Sequence, residues 1–407
     1  MDWNPSTGPT PEGYYMGTDA ILGDLIDSSG EQSNYWITGG AGCVDKDTEF
    51  LSPTGWKKIS EWKIGDKVLI VDKEWNACFC DPIRYIKEPC DKMYIFKNQR
   101  LNMMISPEHR VIYISRGGRK YKQNKHGGTH EMSGEQLYHL LENNVYGSQA
   151  QLPSAFFYDG PGIDMTEGEL RLQVAVMADG RVVKEGKDNY TQMRFAKKRK
   201  YDRLIALCKK FGLKYDDRGA KPCERYSSGL EYEVIVWPKY SDKVFDSKYY
   251  NCSQKQLQTI VDESRFWDGS VNSSNMIVTT IRKENADFIQ FAIHATGQLS
   301  GYLKDTRKEN EDYSVRAHKG TTVGLAKDPR CEKSTTAEEV STQDGYKYCF
   351  TVPTGMWVMR RENKVLVTGN SGKSYFLQTL KMFRDNMVIV APTGVAALNV
   401  GGMTAHK

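Results

Sequence analysis

The sequence predicts a β-rich unit that is interrupted by an α/β unit and flanked by two pieces of another α/β domain. From residue 43, short β-branched segments alternate with glycine turns, a pattern typical of an all-β domain. Near residue 160 this pattern changes to alternating helical and strand-like segments. A pair of complementary half-motifs lies near the two ends of the chain. The length of 407 residues fits two or three compact domains.

The composition indicates a globular chain and excludes several classes. Hydrophobic residues make up 39% of the chain, enough to form buried cores. The net charge of +5 is compatible with nucleic acid but is no evidence for it. No apolar run reaches the length of a membrane span and residues 1–10 lack a secretory pattern, so we expect no membrane partner. The nine cysteines contain no C-x-x-C pair, which argues against zinc and favours a reducing cytosol.

The two ends of the chain contain the halves of one phosphate-binding loop. Residues 371–374 read SGKS and precede a helix-like segment, but no glycine-rich stretch comes directly before them. The strand-like residues 35–38 run into GGAG at 39–42. Joining Gly42 to Ser371 gives GGAGSGKS, which fits the pattern G-x-x-x-x-G-K-[ST]. Two complementary halves at the borders of an insert argue for a single interrupted loop.

The joined loop predicts an ATP site that exists only after the insert is removed. Backbone N–H groups of such a loop surround the phosphates, its lysine contacts the β- and γ-phosphates, and its hydroxyl binds Mg²⁺. The candidate phosphate-binding residues are Gly39, Gly42, Gly372, Lys373 and Ser374. An interrupted loop cannot surround phosphates, so only the joined product would bind nucleotide.

The joined flanks, residues 1–42 and 371–407, resemble the PIF-type DNA helicases of superfamily one. The resemblance depends on the restored loop and on the segments 391–397, APTGVAA, and 401–406, GGMTAH. It implies an ATP- and Mg²⁺-dependent host protein that binds single-stranded DNA when complete. Neither an acidic metal-binding motif nor an arginine finger occurs in these flanks, so we expect them not to work as a helicase alone.

The insert from residue 43 to residue 370 carries the residue types that protein splicing needs at its borders. Cys43 supplies a thiol that can attack the Gly42 carbonyl and convert the amide into a thioester. Asn370 can cyclise through its side-chain amide and break its own peptide bond. Ser371 supplies a hydroxyl that can receive the acyl chain. Their positions at both borders favour chemistry over a buried cysteine and a turn asparagine.

The interior of the insert resembles the inteins, whose splicing domain has the horseshoe-like Hint fold and needs no cofactor. Residues 106–109, SPEH, resemble the T-x-x-H block with serine in place of threonine. The resemblance implies that His109 hydrogen-bonds to the scissile amide and protonates its nitrogen. The other matching blocks lie at residues 43–51, 55–69, 346–357 and 364–370.

Two residues depart from the intein pattern. Cys349 stands where most inteins carry aspartate, and a thiol there can still transfer protons or hold a transient acyl group. Most inteins carry a histidine at the penultimate position, where it helps the asparagine to cyclise, but this chain carries Gly369 there. The resemblance therefore implies a catalytic role for Cys349 and requires another group to polarise the Asn370 carbonyl.

Two helix-like segments inside the insert, at 169–180 and 256–269, end in Asp-Gly. An Asp-Gly pair by itself is an ordinary helix-ending turn. Two copies resemble the LAGLIDADG homing endonucleases, whose paired helices pack on small residues. The resemblance implies that Asp179 and Asp268 are catalytic and hold Mg²⁺ at the scissile phosphates. The implied substrate is double-stranded DNA, the homing site in the intein-free gene.

Two alternatives to splicing stay open. A self-cleaving module of the same β fold, as in hedgehog-type proteins, would cleave without ligation. A nucleic-acid-binding protein without chemistry would carry Cys43 and Asn370 incidentally. We expect a cytoplasmic protein of a microbial or viral host cell. The expected segments are the N-terminal flank 1–42, the first splicing segment 43–155, the endonuclease 156–305, the second splicing segment 306–370 and the C-terminal flank 371–407.

Overall fold

The computed structural model describes residues 42–115, 129–143, 150–185, 188–240, 242–267, 276–305, 311–325, 334–369, 390–391 and 403–404. Strands outnumber helices in these ranges, which confirms the predicted β-rich character. No helix within them is long and apolar enough to cross a membrane.

Short strands make up the first part of the insert. Buried β-branched residues favour them, as in the run VLIV at Val68–Val71, which is buried throughout. The first hairpin turns at Gly55, whose φ of 111° is open mainly to glycine. The elements are β1 (Glu49–Ser52), β2 (Gly55–Lys58), β3 (Val68–Val71), β4 (Asn76–Cys80), β5 (Arg84–Pro89), β6 (Lys92–Asn98), β7 (Leu101–Ile105), β8 (Arg110–Ser115), β9 (Thr129–Ser133), helix α1 (Gly134–Asn143), β10 (Ala150–Pro153) and β11 (Phe157–Tyr158).

An α/β unit follows. The elements are α2 (Glu167–Asp179), β12 (Gly180–Glu185), β13 (Asp188–Phe195), α3 (Lys198–Phe211), β14 (Tyr215–Pro222), β15 (Leu230–Val236), α4 (Gln254–Ser264), β16 (Ile277–Thr280), α5 (Lys283–Ala295), β17 (Leu299–Asp305) and β18 (Asp312–His318). Its strands form two antiparallel sheets, one of four strands in the order β12-β13-β15-β14 and one of three in the order β16-β18-β17.

The helices α2 and α4 begin in the same way and pack against each other. At the start of α2, Thr166 Oγ1 accepts from the Glu169 N–H and the Glu169 carboxylate accepts from the Thr166 N–H. Ser253 and Gln256 make the same reciprocal pair at the start of α4. Each pair satisfies two N–H groups that a helix start leaves open. The α/β unit therefore contains two similarly capped helices side by side.

Late strands complete the sheets that early strands begin. The late strands are β19 (Thr322–Gly324), β20 (Thr336–Ser341), β21 (Tyr346–Thr351), β22 (Met356–Arg361) and β23 (Lys364–Gly369). β19 pairs with β10, β20 with β6, β21 with β5, and β22 with both β1 and β3. Among the described residues the largest sheet has the order β11-β4-β3-β22-β1-β2, with β23 on β22. The two parts of the β-rich unit thus form one body although the α/β unit separates them in sequence.

The hydrogen bonding of the α/β unit extends past residue 305, where the sequence analysis places a boundary. β18 pairs with both β16 and β17. The next strand, β19, is the first to return to the β-rich unit. Residues 312–318 therefore belong with the α/β unit by strand pairing, because an antiparallel hairpin keeps consecutive strands together.

Arg360 joins the two units through buried ion pairs. Its side chain is fully buried in β22. Nε donates to Glu49 Oε2 of β1 at 2.6 Å, and Nη1 donates to Asp287 Oδ1 of α5 at 2.7 Å. A buried guanidinium needs such partners, and removing one leaves an uncompensated charge. The α/β unit is therefore anchored on the β-rich unit and not only tethered to it.

Only four residues of the C-terminal flank are described. β24 (Val390–Ala391) and β25 (Met403–Thr404) pair in parallel. The sequence of residues 387–391, MVIVA, is apolar and β-branched, which is typical of a strand, and β24 lies within it. The phosphate-loop candidates Gly39, Gly372, Lys373 and Ser374 lie outside the described residues.

Candidate functional site

Cys43 is the second described residue of the chain and is fully buried. Its N–H donates to Ser106 Oγ at 3.1 Å, and its carbonyl accepts from the Ser106 N–H at 2.9 Å. The neighbouring Val44 exchanges two backbone hydrogen bonds with Tyr348, of 2.8 and 2.9 Å. The Gly42–Cys43 peptide bond is therefore held between the turn at residue 106 and strand β21.

His109 lies beside this peptide bond and is fully buried. Burial lowers the pKa of its imidazole to about 4, although backbone groups at Gly42 and Cys43 act to raise the pKa. Nε2 is 2.6 Å from Thr368 Oγ1. Nδ1 makes no hydrogen bond of ordinary geometry within the described ranges. The ring is therefore neutral at pH 7, with one nitrogen engaged by Thr368 and the other available near the peptide bond.

Cys349 lies opposite Cys43 in an antiparallel arrangement. Because Val44 and Tyr348 exchange both backbone hydrogen bonds, their outer neighbours Cys43 and Cys349 form the next, closer cross-strand pair. The two thiols and Ile86 form one buried cluster. The hydrogen bond with Cys349 and burial raise the pKa of the Cys43 thiol. The thiol is therefore protonated at pH 7 and needs a base to react.

Phe350 fixes the strand that carries Cys349. Its ring packs edge-to-face against Phe50 and Trp357, with centroid distances of 5.2 and 5.3 Å. Burial of such aromatic groups stabilises the pairing of β21 with its neighbours. Beside Cys349 in the same strand, Lys347 is ion-paired with Glu108 of the turn before His109.

The C-terminal border of the insert reaches the same place. β23 ends with Thr368 and Gly369, and Thr368 contacts His109 as described. A Cβ at position 369 would lie 2.8 Å from the Arg110 carbonyl oxygen and 3.0 Å from Arg110 Cγ. A side chain at this position would therefore require Arg110 or the end of β23 to shift.

The structure brings Cys43, His109 and Cys349 together and places the residue before Asn370 beside them. Asn370 and Ser371 lie outside the described residues. Sequence patterns do not single out Thr368, because a threonine in a β-branched strand is ordinary. Its one sequence signal is its position two residues before the border.

Asp179 is the last residue of α2, beside α4. Its Oδ2 is 2.6 Å from Lys200 Nζ, and its side chain is 21% exposed. Asp268 lies outside the described residues. Across the described part of the chain, no group of three or more His, Cys, Asp or Glu residues could hold a metal ion. Of the two candidate carboxylates, the described residues contain only that of Asp179, and it is ion-paired with Lys200. The described residues therefore do not form a divalent-metal site by themselves.

Glu263 is a second residue that the sequence analysis missed. It is fully buried near the end of α4. Its carboxylate accepts from Arg171 Nη1 of α2 at 2.8 Å, from Arg203 Nε of α3 at 3.0 Å and from Trp267 Nε1 at 3.0 Å. These bonds connect α2, α3 and α4. They also hold Trp267, the residue that precedes Asp268 in the sequence. A lone glutamate four residues before a tryptophan was the only available signal.

No family model matches the sequence. The ribonucleoside-diphosphate reductase subunit beta of Aquifex aeolicus (strain VF5) is 23% identical over 244 residues, which cover 54% of this chain. The matched region spans 33% of that relative, about a third of its length.

Several solved structures are similar over part of the chain. A splice-inactive, GSH-linked variant of the AceL NrdHF class 3 split intein is 9% identical with a TM-score of 0.31, covering 81% of this chain and 98% of its own. Mesophilic variants of the homing endonuclease I-DmoI are 10% identical with a TM-score of 0.27, covering 38% and 89%. Full-length DUF199/WhiA from Thermatoga maritima is 10% identical with a TM-score of 0.28, covering 38% and 53%.

Proposed function

We propose that this chain is an intein that excises residues 43–370 and ligates its two flanks. The observation that carries the proposal is that Cys43, His109 and the end of β23, directly before Asn370, lie together in one buried site. These groups come from three separated segments of the sequence. A cysteine buried only for packing would need neither a neutral histidine at its scissile bond nor the other border beside it.

In the first step Cys43 Sγ attacks the Gly42 carbonyl carbon. The bond from that carbon to the Cys43 nitrogen breaks, a thioester forms, and the thiol proton ends on the released amine. Neutral His109 can accept the proton and deliver it to the nitrogen, because the backbone of Gly42 and Cys43 interacts with its ring and Thr368 holds its Nε2. The Cys349 thiol lies in the same buried cluster as Cys43. It can transfer protons or hold the acyl group transiently.

The later steps use the residues beyond β23. The Ser371 hydroxyl attacks the thioester, which produces an ester and regenerates the Cys43 thiol. The Asn370 side-chain amide nitrogen then attacks its own carbonyl carbon, which releases the insert with a cyclic imide. The freed amine of residue 371 finally takes the acyl group from its own hydroxyl oxygen, which forms the peptide bond to Gly42.

A second activity, cleavage of double-stranded DNA, is proposed for the α/β unit. The specific observation is the pair α2 and α4, which start with the same capping box and pack together. α2 ends at Asp179, and α4 ends four residues before Asp268. Mg²⁺ held by these two carboxylates would stabilise charge at the scissile phosphate. Lys200 is ion-paired with Asp179 in this structure. Its ammonium group would have to move away from Asp179 for Mg²⁺ to bind there.

The flanks are proposed to be parts of a PIF-type helicase that binds ATP, Mg²⁺ and single-stranded DNA after ligation. Support comes from the sequence of the joined loop, GGAGSGKS. The proposed location is the cytoplasm of a microbial or viral host cell.

Intact-mass analysis of the freshly expressed chain tests splicing. We expect a free insert of residues 43–370 and a ligated peptide of residues 1–42 joined to 371–407. Asn370→Ala should stop release of the insert while the thioester at Cys43 still forms, because only the asparagine amide breaks the second border. Unjoined flanks would identify a self-cleaving module instead, and an unchanged full-length mass would identify a binding protein without chemistry.

A further inference from the structure

The glycines that precede the two borders contact the same two-residue segment. A Cβ at position 42 would lie 2.6 Å from the Cα of His109 and 2.9 Å from the backbone nitrogen of Arg110. A Cβ at position 369 would lie 2.8 Å from the backbone oxygen of Arg110. Real Cβ atoms essentially never approach other heavy atoms within 3.0 Å. Gly42 and Gly369 therefore contact this segment at distances that only glycine permits.

Hydrogen bonds hold this segment in place. The His109 N–H donates to the Ser106 carbonyl at 3.0 Å, and the His109 carbonyl accepts from the Gly134 N–H at 2.8 Å. Arg110 is the first residue of β8 and pairs with Ser133 of β9. The atoms that a Cβ before the first border would meet are backbone atoms and not the ends of flexible side chains. Relief of the clash therefore requires movement of hydrogen-bonded backbone or of the scissile peptide.

We propose that the backbone at His109 and Arg110 selects glycine as the acyl donor of the first splicing step. The inference rests on the proposed splicing function and names its substrate class, a glycyl peptide bond before Cys43. In this step the carbonyl carbon of residue 42 leaves the Cys43 nitrogen for the sulfur, and the thiol proton passes to the nitrogen. A larger residue 42 displaces either that carbonyl or the His109 ring. Misplacement of reacting groups by about 1 Å costs on the order of 10²-fold in rate.

The selection has a distinctive dependence on side-chain size. The clash arises at the Cβ itself, so alanine already meets it in full. Gly42→Ala and Gly42→Val should therefore lose similar amounts of rate. A pocket that only limits size would instead accept alanine and reject valine.

The test measures the first step alone, in an Asn370→Ala background of the full chain. Dithiothreitol cleaves a thioester at Cys43, so the rate of thiol-induced release of residues 1–42 reports its formation. We expect Gly42→Ala and Gly42→Val to slow this release by roughly 10- to 100-fold. Gly324→Ala is the matched control, because Gly324 has open space where its Cβ would lie, and its rate should equal that of the background.

Two results would overturn the selection. One is release from Gly42→Ala at the rate of the background. The other is release that is slowed equally in Gly324→Ala, since that variant leaves the segment at His109 and Arg110 untouched. Loss of the first step with retained C-terminal cleavage, measured with Asn370 intact, supports it and shows that the variant is folded. Absence of thiol-induced release from the background itself would count against the splicing proposal and not against the steric argument.

Discussion

The border site around Cys43 and the end of α2 at Asp179 are built in opposite ways. At the border, Cys43, His109 and Cys349 are at most 1% exposed and come from segments far apart in sequence. At the end of α2, a partly exposed carboxylate is held by an ammonium group. A reaction within the chain needs no entry path, so its groups can be buried and their pKa values shifted by burial. A site for a separate substrate must stay open.

Cys43→Ala should abolish N-terminal cleavage and ligation, because alanine cannot form a thioester. Intact-mass analysis of fresh protein measures both products. Cys208→Ala is the matched control, since Cys208 is equally buried but lies in α3 of the α/β unit, and it should splice normally. Ligated flanks from Cys43→Ala at a normal rate would refute the proposed mechanism.

Asp179→Asn and Asp268→Asn should each abolish DNA cleavage and leave splicing unchanged, because each removes a charge that would hold Mg²⁺. The assay uses duplex DNA in which the codons for Gly42 and Ser371 are adjacent. Asp164→Asn is the control, because the Asp164 side chain is 98% exposed and precedes the start of α2, at the opposite end of that helix from Asp179. No cleavage by the unmutated protein would contradict the endonuclease proposal. Loss of splicing in Asp179→Asn would contradict the separation of the two sites.

Thr368→Val should slow thiol-induced N-terminal release by roughly tenfold, because it removes the hydroxyl that holds His109 Nε2 while keeping the side-chain shape. Thr191→Val provides the comparison. The Thr191 hydroxyl is buried without a hydrogen-bond partner in the described α/β unit, so its removal should not slow release. An unchanged rate in Thr368→Val would show that the hydrogen bond does not position the ring.

Stability should fall as the pH drops from 6.5 towards 4. Burial lowers the pKa of both His109 and His294 to about 4, below the 6.5 of the unfolded chain. In this window the unfolded state binds more protons, so each histidine lowers the free energy of unfolding by up to about 1.4 kcal/mol per pH unit. Urea unfolding of the Cys43→Ala chain at several pH values measures the slope.

His294→Gln should reduce that slope, and His139→Gln should not, because the His139 side chain is 58% exposed. The effect of His294 also tests the link between the units, since its Nδ1 lies 2.7 Å from the Ser154 carbonyl of the β-rich unit. An equal slope in both variants would mean that buried His294 does not become neutral on folding.

Gly369→His should give the smallest change, a modest slowing of C-terminal release. The resemblance to inteins would predict acceleration, since histidine is usual there, but a Cβ would lie 2.8 Å from the Arg110 carbonyl. Release of the insert with time measures the effect, and Gly324→His is a control in open space. Faster release in Gly369→His would show that the strand end adjusts to a side chain.

Local patterns predicted much of the framework. The β-rich character follows from β-branched segments between glycine turns, and the paired helices from two runs that end in Asp-Gly. Cys43 and His109 were selected from motif order, and their catalytic roles stay predictions. Thr368 and Glu263 could not be selected, because their importance depends on partners in distant segments. Neither residue type is unusual in its local sequence.

Residue type and position along the chain are enough to identify the nucleophilic residues and the amide at the borders of the predicted insert. The two complementary halves of the predicted phosphate loop are likewise visible in the sequence alone. The neutral state of His109 depends on the tertiary structure, because burial lowers its pKa. The tertiary structure also brings both borders to one backbone segment through Gly42 and Gly369. Strand pairing between distant parts of the chain creates those contacts, and no local pattern encodes them.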